Sequence, residues 1–385
     1  MADRCPFFRH SLSPAAAGDV QQVLSGTIIT TGEVSRAVEG QLRDFFGIDH
    51  ALLSNSWTNG AIATLLALGI GPGDEVIVPA MTFVATANVV EVVGATAVFV
   101  DVDPETLLME APLAASAITE RTKAIIPVHL YGQMCDMAAY ADLAAAHPDV
   151  AIIEDAAHAF ESRRDGIPPG AASDAAIFSF YATKNVTCAE GGAVITRRED
   201  LVGWVGETRL HGMSAGAADR FREGQYRHWD MMRLGTKANL PDVLAALLPE
   251  QIRGVFDRLA QREALAERYE SALASTGVTT PRVLPDSVHA HHLFPVHVPP
   301  EVRDEALFRL GAARVGATVN YHAVPTTAYY GQRFPDAAER FPVSVEWGAG
   351  TFTLPLFPGM RDEEMDYVIE VLDREIIPLA ASGAR

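Results

Sequence analysis

A single lysine, Lys184, lies in the stretch FSFYATKNVTCAEGGAV (178–194), where it follows one apolar run and precedes a glycine turn into another. An amine held between two interior elements is partly desolvated, and desolvation favours its neutral, nucleophilic form. Such an amine can attack a carbonyl carbon and form a Schiff base. A lysine on a solvated face is the general alternative. The surrounding sequence favours the buried amine.

A carboxylate is expected beside this amine. The stretch VAIIEDAAHAF (150–160) has the pattern of a buried strand that ends in two acids. Because side chains alternate across a strand, Glu154 and Asp155 face opposite sides of the sheet, so only one of them serves a given site. Ligands of open parallel sheets bind beyond the carboxyl ends of strands, where Asp155 stands. A helix N-cap role for Asp155 is the alternative.

Two further stretches offer groups for a flat, anionic ligand. SNSWTNGA (54–61) directly precedes a helical run, and a helix N-terminus with the hydroxyls of Ser56 and Thr58 suits a phosphate. Plain helix capping explains the same residues. Phe83 follows a strand and can cover a planar ring, although an ordinary core role is the alternative. A phosphate cradle, an aromatic cover, a carboxylate and an amine are the partners that pyridoxal phosphate needs.

The elements that must position these groups are apolar runs of strand length. Six recur: EVIVPA (75–80), AVFVDV (97–102), AIIPVHL (124–130), VAIIEDA (150–156), AAIFSFY (175–181) and GAVIT (192–196). Most lack polar alternation, which is typical of strands covered on both faces. Helical runs such as 61–70 and 138–146 lie between several of them. Alternating strands and helices predict an α/β fold with a largely parallel sheet wrapped by helices.

The chain changes character near residue 250. Residues 247–268 show apolar spacing typical of one long amphipathic helix. The remainder mixes a short strand at 291–298 with helices near 302–315 and 361–377. We therefore expect a large domain over 1–250 and a smaller α+β domain over 251–385.

Composition excludes several classes of protein. The chain has 385 residues, 49% of them hydrophobic, and a net charge of −19, which argues against nucleic-acid and anionic-membrane binders. Its three cysteines are widely spaced without a CxxC pair, so neither a disulfide framework nor a zinc site is expected. The HAHH run (289–292) has no accompanying carboxylate cluster, so a structural role is favoured and no metal is expected. The cysteine usage favours a reducing cytoplasm. The N-terminus lacks a signal-peptide core and no apolar run is long enough for a bilayer, so a soluble protein is expected.

The chain resembles the DegT/DnrJ/EryC1/StrS family of pyridoxal-phosphate sugar aminotransferases, members of the fold-type I aminotransferase superfamily. The resemblance rests on ordered blocks along nearly the whole chain: SGTIITTGEVSRAVE (25–39), SWTNGAIATLLALGIGPGDEVIVPAMTFVATAN (56–88), VGATAVFVDVDPETL (93–107), PVHLYGQ (127–133), IIEDAAHAF (152–160), FSFYATKNVTCAEGGAVIT (178–196), LGTKANLPDVLAAL (234–247) and TLPLFPGM (353–360). It implies a mostly parallel central sheet wrapped by helices, with a smaller C-terminal domain.

The resemblance implies roles for individual residues. Lys184 would carry the cofactor covalently and, once released, move protons as the catalytic acid and base. Asp155 would pair with the pyridine nitrogen of the cofactor. The phosphate contacts would come from Ser179, Thr58 and the backbone N–H of Trp57.

Two more cofactor contacts follow from the same resemblance. Phe83 matches the stacking aromatic, and His158 lies where the family has a polar residue near the cofactor's hydroxyl group. Relatives often have glycine at the position of Trp57, so the loop here must accept a bulky side chain.

Lys237 occupies a position that is often asparagine in the family. In the family this loop reaches the phosphate of the neighbouring subunit, so Lys237 would act across a homodimer with active sites at the subunit interface. A solvated loop lysine is the alternative. The segment VNYHAVPTTAYY (319–330) departs from the family's substrate loop, so Asn320, Tyr321 and His322 are assigned to substrate binding by position only.

The resemblance implies an aminotransferase that moves an amino group from L-glutamate to a keto carbon of a nucleotide-linked deoxysugar. Three alternatives are a sugar dehydratase of the same family, a keto-cyclitol aminotransferase, and a non-catalytic regulator with this fold. The dehydratase branch replaces the lysine with histidine, so Lys184 argues against it. A nicotinamide-binding Rossmann enzyme is disfavoured because GIGPGDE follows a helix and precedes a strand, the reverse of the required order.

Overall fold

A central sheet organises the first half of the chain in the computed structural model, which describes residues 3–214, 221–222, 225–226, 228–285 and 287–383. The strands are β1 (His50–Ser54), β2 (Glu75–Pro79), β3 (Thr96–Val100), β4 (Thr122–Ile125), β5 (Ala151–Asp155), β6 (Arg163–Arg164), β7 (Ala175–Ser179), β8 (Gly192–Thr196), β9 (Phe221–Arg222), β10 (Gln225–Tyr226), β11 (Ser287–Val288), β12 (Phe294–His297) and β13 (Thr351–Leu354).

Helices surround the sheet and are the main regular elements of the second half of the chain. They are α1 (Pro14–Leu24), α2 (Glu33–Phe46), α3 (Trp57–Ala67), α4 (Ala85–Val92), α5 (Ala111–Ser116), α6 (Met137–Ala146), α7 (Glu199–Thr208), α8 (Asp242–Ala245), α9 (Leu248–Arg253), α10 (Val255–Leu273), α11 (Pro300–Ala312), α12 (Ala337–Arg340), α13 (Pro342–Gly350), α14 (Asp362–Val371) and α15 (Ile377–Gly383). A π-helical turn at Leu372–Ile376 joins the last two. Within the described ranges, no helix has the length and apolar composition needed to cross a bilayer.

The sheet has seven strands in the order β1-β8-β7-β5-β4-β2-β3. β8 runs antiparallel to both of its neighbours, while the other pairings are parallel, so six strands point in one direction. The prediction of an α/β fold with a largely parallel sheet is confirmed. All six predicted strands form, whereas the short HALLS strand β1 was missed because only three of its residues are apolar.

The topology brings distant parts of the sequence to one edge of the sheet. The carboxyl ends of β1, β2, β5 and β7 lie at this edge, together with the start of the antiparallel strand β8. Loops that leave parallel strands at their carboxyl ends form the binding crevice of such sheets. Residues 54–58, 80–86, 155–158 and 179–192 therefore meet there.

Gly192 makes the closest approach at this edge. It opens β8 and pairs with Ser54 on one side and Ser179 on the other. A Cβ at this position would lie 2.6 Å from the backbone nitrogen of Trp57. Only glycine therefore lets β8 pass beneath the first turn of α3, which fixes that turn relative to the Lys184 loop.

The predicted helix over 247–268 is wrong in its continuity. The chain forms two helices that break at Gly254, where the backbone has φ −94° and ψ 13°. Glycine has a low helix propensity, and the Arg258 guanidinium bonds to the carbonyl of Gln251 at the end of α9. The side chain thus satisfies a helix-end acceptor and the break is stable.

The second half contains an apolar cluster of its own. Buried side chains from α10, α11 and α14 pack around β12 and β13, with Tyr269, Phe294 and Phe352 among the largest. β12 and β13 pair antiparallel outside the central sheet. The segment from Val324 to Phe341 packs instead on the cluster beneath the central sheet, so it brings the second half of the chain to the sheet edge.

We predict that Gly192→Ala destabilises the protein by about 1–3 kcal/mol, because the added methyl meets backbone atoms that cannot move aside. The measurement is the thermal unfolding midpoint. Gly203→Ala is the matched control, since Gly203 lies inside α7 with no heavy atom within 4 Å of the added Cβ. That control should gain about 0.5–1 kcal/mol from helix propensity. Equal midpoints for the two variants would contradict the close approach.

Candidate active site

A cavity of about 450 Å³ opens at the carboxyl edge of the sheet. Nine of the eleven site residues predicted from the sequence line it: Trp57, Thr58, Phe83, Asp155, His158, Ser179, Lys184, Asn320 and Tyr321. Residues that are far apart in the sequence therefore meet around one space. Lys237 and His322 do not line it; both are exposed.

Lys184 lies in the turn between β7 and β8, where its backbone N–H donates to the carbonyl of Tyr181 at 2.9 Å. The residue is half-buried because its side chain faces the cavity. Burial lowers the pKa of its amine to about 8, and the negative charge of Asp155 opposes that shift. At neutral pH the neutral fraction of this amine is about a tenth, against less than a thousandth for an exposed lysine.

Asp155 ends β5 and is 6% exposed. One carboxylate oxygen accepts a hydrogen bond from the Thr86 hydroxyl at 2.9 Å, and the other accepts from the N–H of Ala157 at 3.1 Å. Burial raises its pKa, while these two bonds and the charge of Lys184 act in the opposite direction. No helix follows Asp155, so the N-cap alternative does not hold.

Glu154 faces the other side of the sheet, as alternation predicts. It is fully buried and contacts His129 Nε2 at 2.7 Å and the N–H of Gly170 at 2.8 Å. Those partners satisfy its carboxylate away from the cavity. Asp155 is therefore the acid of the pair that lines the cavity.

The N-terminus of α3 points at the cavity. The Ser56 hydroxyl caps the helix by accepting from the N–H of Asn59 at 3.1 Å. Trp57 is the first helical residue, and its side chain is 6% exposed within the apolar cluster under the sheet. Its bulk is thus directed inward, and its backbone N–H remains at the helix terminus. Thr58 and Ser179 add hydroxyl groups to the same wall.

Phe83 is 53% exposed, so it is not the ordinary core phenylalanine that was the alternative. It borders the cavity, and its ring centroid lies 5.6 Å from that of Tyr321. The two aromatic rings come from opposite halves of the chain. They form an apolar flank that suits a planar ligand.

His158 is held by two hydrogen bonds that fix its tautomer. Its Nδ1 accepts from the backbone N–H of Tyr131 at 3.1 Å, and its Nε2 lies 3.2 Å from the hydroxyl of Tyr321. Burial lowers the pKa of His158, so the ring is neutral. Because Nδ1 accepts, Nε2 carries the proton and donates to the Tyr321 oxygen. The Tyr321 hydroxyl then keeps its own proton for another acceptor.

The segment at 319–330 is only partly brought to the cavity. Asn320 and Tyr321 line it, and the Asn320 carbonyl accepts from the Tyr131 hydroxyl at 2.6 Å. His322 is exposed and lies outside the lining. The backbone carbonyl of Lys237 lies 3.4 Å from Asn55 Nδ2, close to the start of α3. Its side chain is exposed and does not line the cavity of its own chain.

Three residues near the site went unrecognised in the sequence. Thr86 supports Asp155, Tyr131 supports His158, and His292 contacts the Lys184 amine at 3.3 Å. Thr86 lies four residues after Thr82, and their hydroxyls are 2.9 Å apart. This spacing near the start of α4 could have indicated from the sequence that Thr86 belongs to the site. His292 comes from another part of the chain, so no local pattern indicated it.

The chain is similar to known proteins over nearly its whole length. The family model for the DegT/DnrJ/EryC1/StrS aminotransferases matches residues 11–373. Spr1654 from Streptococcus pneumoniae, assigned as a sugar aminotransferase, has been solved in a PMP form that is 29% identical, with a TM-score of 0.90 over 99% of this chain and 100% of that chain. Its PLP form is 28% identical, with a TM-score of 0.89 over 99% of each chain.

A second protein of known structure, DesV from S. venezuelae, is 31% identical, with a TM-score of 0.85 over 94% of each chain. The family match spans most of the sequence and agrees with the residues that converge on the cavity. The chain therefore belongs to the DegT/DnrJ/EryC1/StrS aminotransferase family.

Proposed function

We propose that the protein transfers an amino group from L-glutamate to a keto carbon of a nucleotide-linked deoxysugar, with pyridoxal phosphate as cofactor. The observation that carries the proposal is the meeting of a desolvated Lys184 amine and a buried Asp155 carboxylate in one cavity. The family is a sugar aminotransferase family that depends on this cofactor. Lys184 also disfavours the dehydratase alternative.

The residues present fit pyridoxal phosphate. The α3 N-terminus with the hydroxyls of Thr58 and Ser179 suits the phosphate, and Phe83 presents an exposed ring to a flat heterocycle. Asp155 provides a buried carboxylate that lines the cavity. When bound, the cofactor supplies an electron sink for negative charge on the carbon next to the transferred nitrogen.

The protein's own groups then divide the work. The Lys184 amine would hold the cofactor through its aldehyde carbon and, when free, would move a proton between the two carbons that flank the transferred nitrogen. Its pKa of about 8 keeps both protonation states populated near neutral pH. The Asp155 carboxylate would stabilise a proton on the ring nitrogen of the cofactor by charge attraction, and the Thr86 hydroxyl orients that carboxylate. His158 keeps the Tyr321 hydroxyl oriented toward the cavity.

The charge balance of the cavity supports a homodimer. Among the described residues that line it, Lys184 is the only lysine or arginine, although the cofactor phosphate and a nucleotide-linked sugar are both anionic. Further positive charge must come from residues that do not line this cavity in the single chain. We propose that Lys237 of one subunit supplies it to the phosphate in the other, with the sites at the subunit interface.

Keto-cyclitol transamination would use the same site chemistry, so an assay with each ketone must distinguish it from sugar transamination.

We predict that the wild-type protein with L-glutamate converts a nucleotide-linked keto-deoxysugar to an amino sugar, with 2-oxoglutarate formed in equal amount. Lys184→Ala should lower this rate by about 1,000-fold or more, since it removes both the attachment point and the proton carrier. Product mass spectrometry measures both outcomes.

Lys123→Ala is the matched control for that experiment, because Lys123 is an exposed lysine on β4 and lies outside the cavity. It should retain wild-type turnover. A Lys184→Ala protein with full transfer activity would sink the proposal, and so would conversion of keto-cyclitols alone.

The uptake of cofactor should depend on pH through the Lys184 amine. Only the neutral amine attacks the aldehyde, so the rate at which the cofactor-free protein gains a visible absorption band should rise about tenfold per pH unit below pH 8. Above that value the rate should level off. Stopped-flow absorbance from pH 6 to 9.5 provides the measurement. A rate that keeps rising to pH 9.5 would show an ordinary, solvated lysine.

Hybrid dimers test whether Lys237 acts across the interface. We predict that Lys237→Ala weakens cofactor binding, so this variant is inactive when pyridoxal phosphate is limiting. The Lys184→Ala variant is inactive because it lacks the catalytic amine. In a hybrid of the two, one site combines an intact Lys184 with an intact Lys237 from the other chain. Unfolding and reassembling an equal mixture should thus recover about a quarter of wild-type activity, since half of the dimers are hybrids with one native site. No recovery would place Lys237 in its own chain's site.

A further inference from the structure

His292 contacts the catalytic amine from the second half of the chain. Its Nε2 lies 3.3 Å from Lys184 Nζ, and the histidine is 5% exposed. His292 precedes β12, whereas Lys184 follows β7, so the two residues are 108 positions apart. The ring of His158 lies against it, with centroids 4.4 Å apart.

The hydrogen bonds around Asn185 determine which ring nitrogen of His292 carries a proton. Asn185 Nδ2 lies 2.8 Å from Glu161 Oε1 and 3.0 Å from the carbonyl of Ala290. Both of these partners are acceptors, so the amide nitrogen must face them and the amide oxygen must face His292. That oxygen lies 3.2 Å from His292 Nδ1. Nδ1 therefore donates its proton to Asn185.

It follows that Nε2 of the neutral ring has a free lone pair. Burial lowers the pKa of His292, and the positive charges of Lys184 and Arg262 act in the same direction, so the ring stays neutral. A lysine amine has protons to donate in either of its charge states. The 3.3 Å contact is thus a hydrogen bond from Lys184 Nζ to His292 Nε2.

This network ends on a buried ion pair. Glu161 and Arg262 are 0% and 1% exposed, and the guanidinium bonds both Glu161 and, through Nε at 3.0 Å, the carbonyl of Ala290. Ala290 in turn is the second acceptor of Asn185. Arg262 on α10 therefore fixes both the amide and the backbone that leads to His292.

We propose that His292 is a positioning residue for the catalytic lysine: its Nε2 lone pair accepts a hydrogen bond from the free Lys184 amine and holds that amine in place during proton transfer. The proposal rests on the proposed function for its catalytic meaning. The hydrogen bond itself is a property of the chain and can be tested separately.

The hydrogen bond has a measurable effect on the charge of Lys184. Among the described residues, Asp155 and His158 face the Lys184–His292 pair, and Glu161 and Arg262 lie beyond the ring. Arg9 also lines the space beside the pair, where it is bonded to Glu364. An acceptor stabilises the ammonium form more than the neutral amine, so it raises the pKa of Lys184 against the effect of burial. Loss of His292 should therefore lower that pKa further.

The chain contains three lysines, Lys123, Lys184 and Lys237, which makes the measurement direct. The full-length protein, freed of cofactor and labelled with ¹³C at lysine Cε, should give three signals, assigned through Lys123→Arg and Lys237→Arg. We expect His292→Phe to lower the Lys184 pKa by about 1 pH unit or more, the effect of removing one hydrogen bond to a charged donor. His292→Gln keeps an acceptor within reach and should retain most of the wild-type value.

His291→Asn is the matched control. His291 is the neighbouring histidine, does not contact Lys184, and has φ 43°, a conformation that asparagine accepts. It should leave the Lys184 titration unchanged. An unchanged Lys184 pKa in a folded His292→Phe protein would overturn the proposal.

The tautomer of His292 gives a second measurement, which does not require the His292→Phe protein to fold. In the wild-type protein labelled with ¹⁵N at its 12 histidines, the signal lost in His292→Gln should show a protonated Nδ1 and an unprotonated Nε2. A protonated Nε2 would contradict the hydrogen bond from Lys184. Both measurements use the cofactor-free chain, so they hold or fail independently of the sugar substrate.

The catalytic meaning is tested on the half-reaction with L-glutamate. In His292→Phe, the pH at which its rate reaches half of the plateau should fall together with the Lys184 pKa, and the plateau should decrease because the amine is less well placed. His292→Gln should restore most of both. If the Lys184 titration shifts while the half-reaction profile does not, the hydrogen bond exists but does not position the amine for catalysis.

Discussion

The removal of the Lys184 amine from water is the constraint on which the site depends. An exposed lysine is almost wholly protonated at neutral pH and is a poor nucleophile. Here the amine emerges from a tight turn between two interior strands, and Asp155 limits the resulting shift by its opposite charge. The site therefore needs both the buried turn and a carboxylate at the same sheet edge. The parallel topology supplies them together.

Around this pair the protein uses neutral groups in fixed orientations. His158 is held by a backbone N–H, His292 by the Asn185 amide and Tyr321 by the His158 ring, so their donor and acceptor positions are fixed. Two further buried acids have their partners outside the cavity: Glu154 faces the opposite side of the sheet, and Glu161 is paired with Arg262. A low-dielectric site gains most from such ordered dipoles.

The sequence predicted the sheet well because its strands are buried on both faces and therefore continuously apolar. It also predicted Asp155, Ser179 and Lys184 as neighbours, since strand ends in a parallel sheet share an edge. It did not predict the break at Gly254, which depends on a side-chain bond formed in the folded protein. His292 was interpreted as structural because no carboxylate cluster accompanies the HAHH run, and its contact with Lys184 spans two halves of the chain. Local patterns carry no information about such a contact.

The inward direction of the Trp57 side chain affects how the start of α3 can be recognised from a sequence. The indole is directed into the apolar interior while the backbone N–H of Trp57 stays at the start of α3, so this donor does not require glycine at position 57. A sequence pattern that requires glycine at this position would miss this chain, although the helix N-terminus is formed in the same way. The direction of a side chain can therefore matter more than its size where a backbone group is the donor.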